Sequence, residues 1–335
     1  MTGTPDILNN MDKIQIVKFT ADRAEEWDAF VDNSNNGTLF NKRTFLNYHP
    51  KDRFIDHSLM FFKEGRLLAA LPAALRPQDD EQILRSHAGA SYGGIIVKPD
   101  TSLKDTKRVI KVLLAYTQDQ SFGGIEITVP PLVYLQRPSN YYEFLLYQEG
   151  FHYRKRELTA VCKLHRNPEH ALSQFTAESR RAVRRANKLG VQVKWSEDYD
   201  TFYRILANNL QMRHGVTPTH SLKELLWLAD HFPKHIHLLA SFYENEMCAG
   251  VVFFDACPRV TLAFYISHDP QYQKVRPLNT LFYEAFQHYA AQGYEYFDFG
   301  TFTDNMEVNW GLSRFKEGYG TQGIFRDTLL RKFSR

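Results

Sequence analysis

Apolar and polar positions alternate along this chain in two rhythms, one with the two-residue period of strands and one with the 3.6-residue period of helices. Residues 58–62 (SLMFF) and 67–75 (LLAALPAAL) are apolar runs joined by a turn at Glu64-Gly65, which predicts a hairpin. Residues 90–97 (ASYGGIIV) read as a further strand. Residues 103–118 place Val109, Val112, Leu113 and Tyr116 at helical spacing, 124–129 return to strand character, and 141–148 predict a short helix. The second half repeats this order. Residues 237–243 and 248–254 flank a turn at Asn245, 260–267 form a strand, and 277–292 a helix with Pro277 at its start and Gly293 after its end; 294–299 form the last strand. Any mixed α/β chain alternates, but a repeated order of hairpin, strand, helix and strand predicts an α/β fold with mixed sheets, built as two copies of one unit. The expected divide lies in the polar stretch 165–168 (HRNP), giving domains 1–165 and 166–335.

Length supports two cores, because 335 residues exceed the size at which a single core keeps growing. Hydrophobic residues make up 43% of the chain and aromatics 14%, enough to fill both. A net charge of +3 argues against a dedicated nucleic-acid binder, DNA included, yet leaves room for a local basic patch. Cys162, Cys248 and Cys257 are odd in number and scattered, so neither a disulfide framework nor a zinc motif is expected. The start of the chain lacks a basic segment followed by an apolar run, and no apolar stretch approaches membrane-spanning length. A soluble cytoplasmic protein is the expectation.

Candidate chemistry concentrates near the C-terminus. The aromatic run 294–300 is expected to lead into a loop over 309–320, where Lys316 sits between Phe315 and a turn containing Gly318, Tyr319 and Gly320. Aromatic neighbours can desolvate such a lysine, although a solvated lysine in a hairpin is the commoner arrangement. A helix expected over 171–189, ended by Gly190, would bury Phe175, Ala182, Ala186 and Leu189. It would raise Arg180, Arg184 and Lys188 as a ridge, with Arg181 and Arg185 beside them. Such a ridge suits phosphate or an acidic partner, and equally a plain solvated face. His87 and Tyr92 beside Gly93 and Gly94 are candidates for an acceptor groove, and Arg213, His214 and His220 for a binding loop with Pro218. His231, His235 and His237 have no carboxylate or cysteine at ligand spacing, so no metal site is expected. Nucleophile-elbow, P-loop and dinucleotide motifs are absent from the sequence, which disfavours hydrolases and nucleotide-driven enzymes.

The order of elements resembles the GNAT acyltransferase fold, and its duplication resembles the FemAB/FemX branch. The resemblance covers most of the chain and rests on 86–94 (SHAGASYGG), 179–191 (SRRAVRRANKLGV), 213–220 (RHGVTPTH), 297–300 (FDFG) and 315–320 (FKEGYG). It implies an N-acyltransferase that joins an activated acyl group to an amine, a cell-envelope precursor being one candidate acceptor. Lys316 would stabilise the oxyanion, Asp298 would act as base or position the amine, and Tyr265 would orient the carbonyl. Arg180, Arg181, Arg184, Arg213, His87, Tyr92 and Phe315 would bind substrate, and Lys274 with Arg276 would contact the donor's phosphates. The donor would be an acyl-CoA, an acyl carrier protein or an aminoacyl-tRNA, with no tightly bound cofactor. The stretch 267–277 departs from the usual coenzyme A turn in having no glycine, and 97–103 lacks one too. A tRNA-dependent aminoacyl ligase and a non-catalytic module for anionic carriers or precursors are the alternatives; no charged heptad run marks the coiled-coil arm that some ligases carry.

Overall fold

The computed structural model describes residues 14–50, 52–77 and 80–333, with Arg213 and His214 described by their backbone alone. Its contacts define two compact units, one of residues up to Lys155 together with those from Asp327 onward, the other Arg156–Arg326.

The first unit comprises β1 (Ile14–Lys18), α1 (Ala24–Asp32), α2 (Arg43–Leu46), β2 (Ile55–Asp56), β3 (Leu59–Lys63), β4 (Arg66–Leu71), β5 (Ala74–Leu75), β6 (Ile83–Ser86), β7 (Ile96–Val97), α3 (Leu103–Asp119), β8 (Gly124–Thr128) and α4 (Tyr141–Gln148). The expected run 67–75 is two strands, because Pro72 has no N–H to continue the ladder. The strand expected over 90–97 shrinks to Ile96–Val97, as the glycines before it form irregular backbone. Ser102 caps α3 by accepting from the Asp105 N–H, and Val109, Ile110, Leu113 and Leu114 form its buried stripe.

The chain enters the second unit within β9 (His152–Lys163). There follow α5 (Ala177–Lys188), β10 (Gln192–Ser196), α6 (Tyr199–His214), α7 (Leu222–His231), β11 (Ile236–Tyr243), β12 (Glu246–Cys257), β13 (Val260–His268), α8 (Pro277–Ala291), β14 (Tyr296–Thr301), β15 (Thr303–Asp304), β16 (Glu307–Val308) and α9 (Trp310–Glu317), and the chain leaves through β17 (Gln322–Lys332). Its strands lie in the order β10-β11-β12-β13-β14-β9. Within it β13 and β14 pair in parallel, over Val260↔Tyr296, Thr261↔Phe297 and Leu262↔Asp298. Beyond that point β13 runs on without β14, so the two strands part.

α8 packs over this sheet through Leu281, Phe282, Ala285, Phe286 and Tyr289, a stripe at helical spacing that meets Phe253, Phe297, Phe299 and Tyr319. Burying a side chain such as Phe282 or Phe286 stabilises the fold by roughly 2–3 kcal/mol each relative to leaving it in water. This core fixes the position of α8 relative to β13 and β14, the elements that carry the site.

Three sequence expectations change here. α5 begins at Ala177 rather than near 171, preceded by a 3-10 segment at Pro168–Gln174. Residues 310–317 form a helix rather than a loop. Arg213 and His214 end α6 rather than lying in a loop.

Candidate functional site

Lys316 lies on α9, whose N-cap Asn309 accepts from the Leu312 N–H. Its side chain is 3% exposed. The ammonium donates to the carbonyls of Gly300 and Thr301, each at 2.8 Å. Those carbonyls are available because β14 bulges against β9 between Asp298 and Thr301. Gly300 adopts a φ of 74°, a left-handed conformation that glycine takes without strain, and a Cβ there would stand 3.9 Å from the Lys316 Nζ. Asp298, wholly buried, fixes the bulge: its Oδ1 accepts from the Gly300 N–H at 2.7 Å and from the Thr159 hydroxyl at 2.5 Å. Burial pulls the Lys316 pKa down to about 8, opposed by the Asp298 charge. An ammonium carries three protons, and two are spent on backbone carbonyls.

The opposite side of α9 faces a cleft of about 950 Å³. Its walls come from the N-terminal ends of α5 and α8 and from Gly311, Arg314, Phe315, Gly318 and Tyr319. The walls are tied together. Thr176, the N-cap of α5, donates through its N–H to the Gly318 carbonyl at 3.0 Å. Asn279 donates to the Tyr319 hydroxyl at 3.2 Å, and Thr280 to Asn187 at 2.6 Å. Four arginines, Arg181, Arg185, Arg276 and Arg314, line this space against two glutamates, Glu178 and Glu317. Helix N-termini add partial positive charge, and α8 has no side-chain cap on its first turn.

Arg276 occupies the N-cap of α8 with φ 58°. The glycine missing from 267–277 is thus replaced by an arginine held in the left-handed conformation that a glycine would favour, at a cost of about 1–2 kcal/mol. Lys274, two residues earlier, does not line the cleft. On α5 the buried face is Ser179, Val183 and Ala186, and Leu189 is 42% exposed. The cleft therefore receives Arg181 and Arg185, one position round the helix from the expected ridge of Arg180, Arg184 and Lys188. Arg180 donates instead to the Phe175 carbonyl. Phe315 lines the cleft and packs on Phe282 and Tyr319.

Tyr265 faces away from this cleft. An irregularity in β12–β13 pairing between Val252 and Phe253 leaves Ile266 and His268 on the side of α8 and the cleft, while Tyr265 and Ser267 bond residues of the other side. The Tyr265 hydroxyl accepts from the His220 N–H at 3.0 Å and lies 2.8 Å from its Nδ1, and burial raises its pKa to about 12. His87 and Tyr92 belong to the first unit and are 6% and 2% exposed. His87, its pKa pushed down to about 4 by burial, accepts from the Gly89 N–H, and Tyr92 packs against Phe40 and Tyr134. The Arg213 side chain lies outside the described residues.

The sequence pattern did not point to Arg314, Gln273 or Asn279, which also line the cleft. The signal for Arg314 was present: read at helical spacing, Gly311, Arg314, Phe315 and Gly318 fall on one side and Ser313 and Lys316 on another. Two glycines and the preceding strand pattern obscured it. Among the described residues no cluster of metal-ligating side chains occurs and no helix is long and apolar enough to cross a membrane.

Residues 173–317 match the acetyltransferase (GNAT) domain family, and this segment supplies nearly all the cleft wall and Lys316. The second unit thus carries a segment matching a GNAT acetyltransferase domain, and the chain as a whole has the fold of the tandem GNAT proteins compared below. Among solved structures the chain is similar to FemX, at 14% identity and TM-score 0.74, over 95% of this chain and 97% of that one. A tandem GNAT protein from the clavulanic acid biosynthesis pathway matches at 12% identity and TM-score 0.56, over 96% and 99%. The C-terminal domain of a putative lysylphosphatidylglycerol synthetase from Agrobacterium fabrum matches at 12% and 0.57, over 92% and 91%. No curated protein matches by sequence.

Proposed function

We propose that the second unit transfers an acyl group from a phosphate-bearing donor to an amine. The observation that carries this reading is the cleft itself, where four arginines outnumber two glutamates beside the N-termini of α5 and α8. The donor's phosphates occupy the cleft, and its acyl end reaches the gap where β13 and β14 part. The neutral amine attacks the carbonyl carbon, a C–N bond forms and the carbonyl oxygen becomes an oxyanion. The third N–H of Lys316 stabilises that charge. Collapse breaks the bond to the leaving sulfur or oxygen, and the surplus amine proton passes to the leaving group or to water. Asp298 acts indirectly, by holding the bulge whose carbonyls orient Lys316. A cell-envelope precursor is the proposed acceptor, and a cytoplasmic location follows from that use.

Isothermal titration with coenzyme A and acetyl-coenzyme A is the direct test. Saturable micromolar binding, weakened in Arg276→Ala, supports a thioester donor. A second reading, an aminoacyl-tRNA donor, is favoured by exposed Arg184 and Lys188, which extend the basic surface of α5 beyond the cleft. Binding of charged tRNA without coenzyme A binding selects it. If neither donor binds, the cleft is not a donor site.

A further inference from the structure

Trp310 is 78% exposed, the most exposed large apolar side chain among the described residues. Its place is set locally. Asn309 caps α9, so Trp310 is the first residue of the helix, and Arg314 stands one turn further on the same strip. The adjoining strip, Gly311 and Phe315, lines the cleft. A side chain at Gly311 would meet only the Asn309 Oδ1, 3.6 Å away, so the helix backbone there is open to close approach. Arg314 reaches across the mouth towards Glu178 of α5 at 4.0 Å, an exposed pair that holds it only weakly.

An indole left in water beside an arginine-lined cleft offers what a nucleotide needs: cations for its phosphates and a flat apolar face for its base. We propose that Trp310 is the stacking platform for the adenine of the donor, with Arg314 closing over the adjoining phosphate. This rests on the reading of the cleft as the donor site and adds that the donor is recognised through its nucleotide as well as its charge. Coenzyme A and the 3′ end of a tRNA both present an adenosine joined to phosphate, so the shared chemistry is an adenylate moiety.

The test compares wild type, Trp310→Ala and Trp310→Phe in binding three ligands: coenzyme A, 4′-phosphopantetheine, and a short RNA ending in CCA. Trp310 is solvent-exposed, so its replacement leaves the cores intact. The expected result is quenching of indole fluorescence by whichever adenylate ligand binds, and a loss of about tenfold or more in its affinity in Trp310→Ala, as one base–aromatic stack supplies. Phenylalanine restores most of the loss. Phosphopantetheine, having no base, binds wild type and Trp310→Ala alike. Preference for coenzyme A or for the RNA tells which source the site takes. Equal adenylate affinity in wild type and Trp310→Ala, with binding still weakened by Arg276→Ala, overturns the stacking role and leaves the donor cleft standing. Failure of both adenylate ligands to bind wild type overturns both.

Discussion

Replacing Lys316 by methionine keeps the length of the side chain and removes its charge. Lowering a lysine from 10.5 to about 8 corresponds to about 3 kcal/mol against the charged form, the cost of burying the ammonium. Methionine relieves that cost but leaves the Gly300 and Thr301 carbonyls without their donor, at about 1–3 kcal/mol each. The two effects oppose, so the variant is expected to fold, with stability within a few kcal/mol of wild type. Turnover has no such compensation: losing a preorganised oxyanion donor costs about 10²–10³ in kcat. The pH dependence separates the two roles further. A folded pKa below the unfolded one means that between about 8 and 10.5 the unfolded chain holds a proton the folded chain has lost, so stability rises with pH in that window. Activity runs the other way, falling as the ammonium deprotonates through about pH 8. Calorimetry and acyl-transfer rates from pH 7 to 10, measured on wild type and Lys316→Met, check both. A variant with kcat within threefold of wild type would refute the oxyanion assignment.

Arg276→Gly should relieve the left-handed strain at the start of α8 and raise stability by up to about 1 kcal/mol, while weakening phosphate binding; a higher Tm with a higher Kd is the signature. Gly320→Ala should destabilise the second unit by about 1–3 kcal/mol in urea titration, because the backbone has φ 78° and the new Cβ would stand 2.5 Å from the Gln174 carbonyl oxygen. His237 lies 3.4 Å from Asp255; burial opposes its charge, but that carboxylate outweighs burial and raises its pKa above 6.5. The pair's contribution is therefore complete below pH 6.5 and lost as pH rises through the folded value, so His237→Gln should flatten the Tm-versus-pH curve above 6.5 and otherwise leave its shape alone.

Elements with one dominant period were legible in the sequence. α8 extends from Pro277 to Ala291 against an expected 277–292, and α4 matches its expected range, because proline, a terminal glycine and an apolar stripe act locally. α9 was not legible. Its aromatic, glycine and lysine positions serve both the cleft and the Lys316 contact, so they break the amphipathic pattern that announces a surface helix. Lys316, Arg276 and Phe315 could be chosen as candidates from residue type and neighbours. That Arg181 and Arg185 rather than Arg180 and Arg184 face the cleft depends on which residues of α5 meet α8, a difference of one position that a Val-and-Ala stripe flanked by arginines leaves open.

By itself the sequence determined the α/β class, the repeated order of strand and helix, and the cluster of arginines over 180–185, since these follow from local periodicity and composition. Only the tertiary structure decided that the bulge at Gly300 brings two carbonyls to Lys316, that Asp298 is buried behind it, and that Tyr265 faces His220. Those outcomes depend on strand register and on bulges, where a shift of one residue sends a side chain to the other face of the sheet.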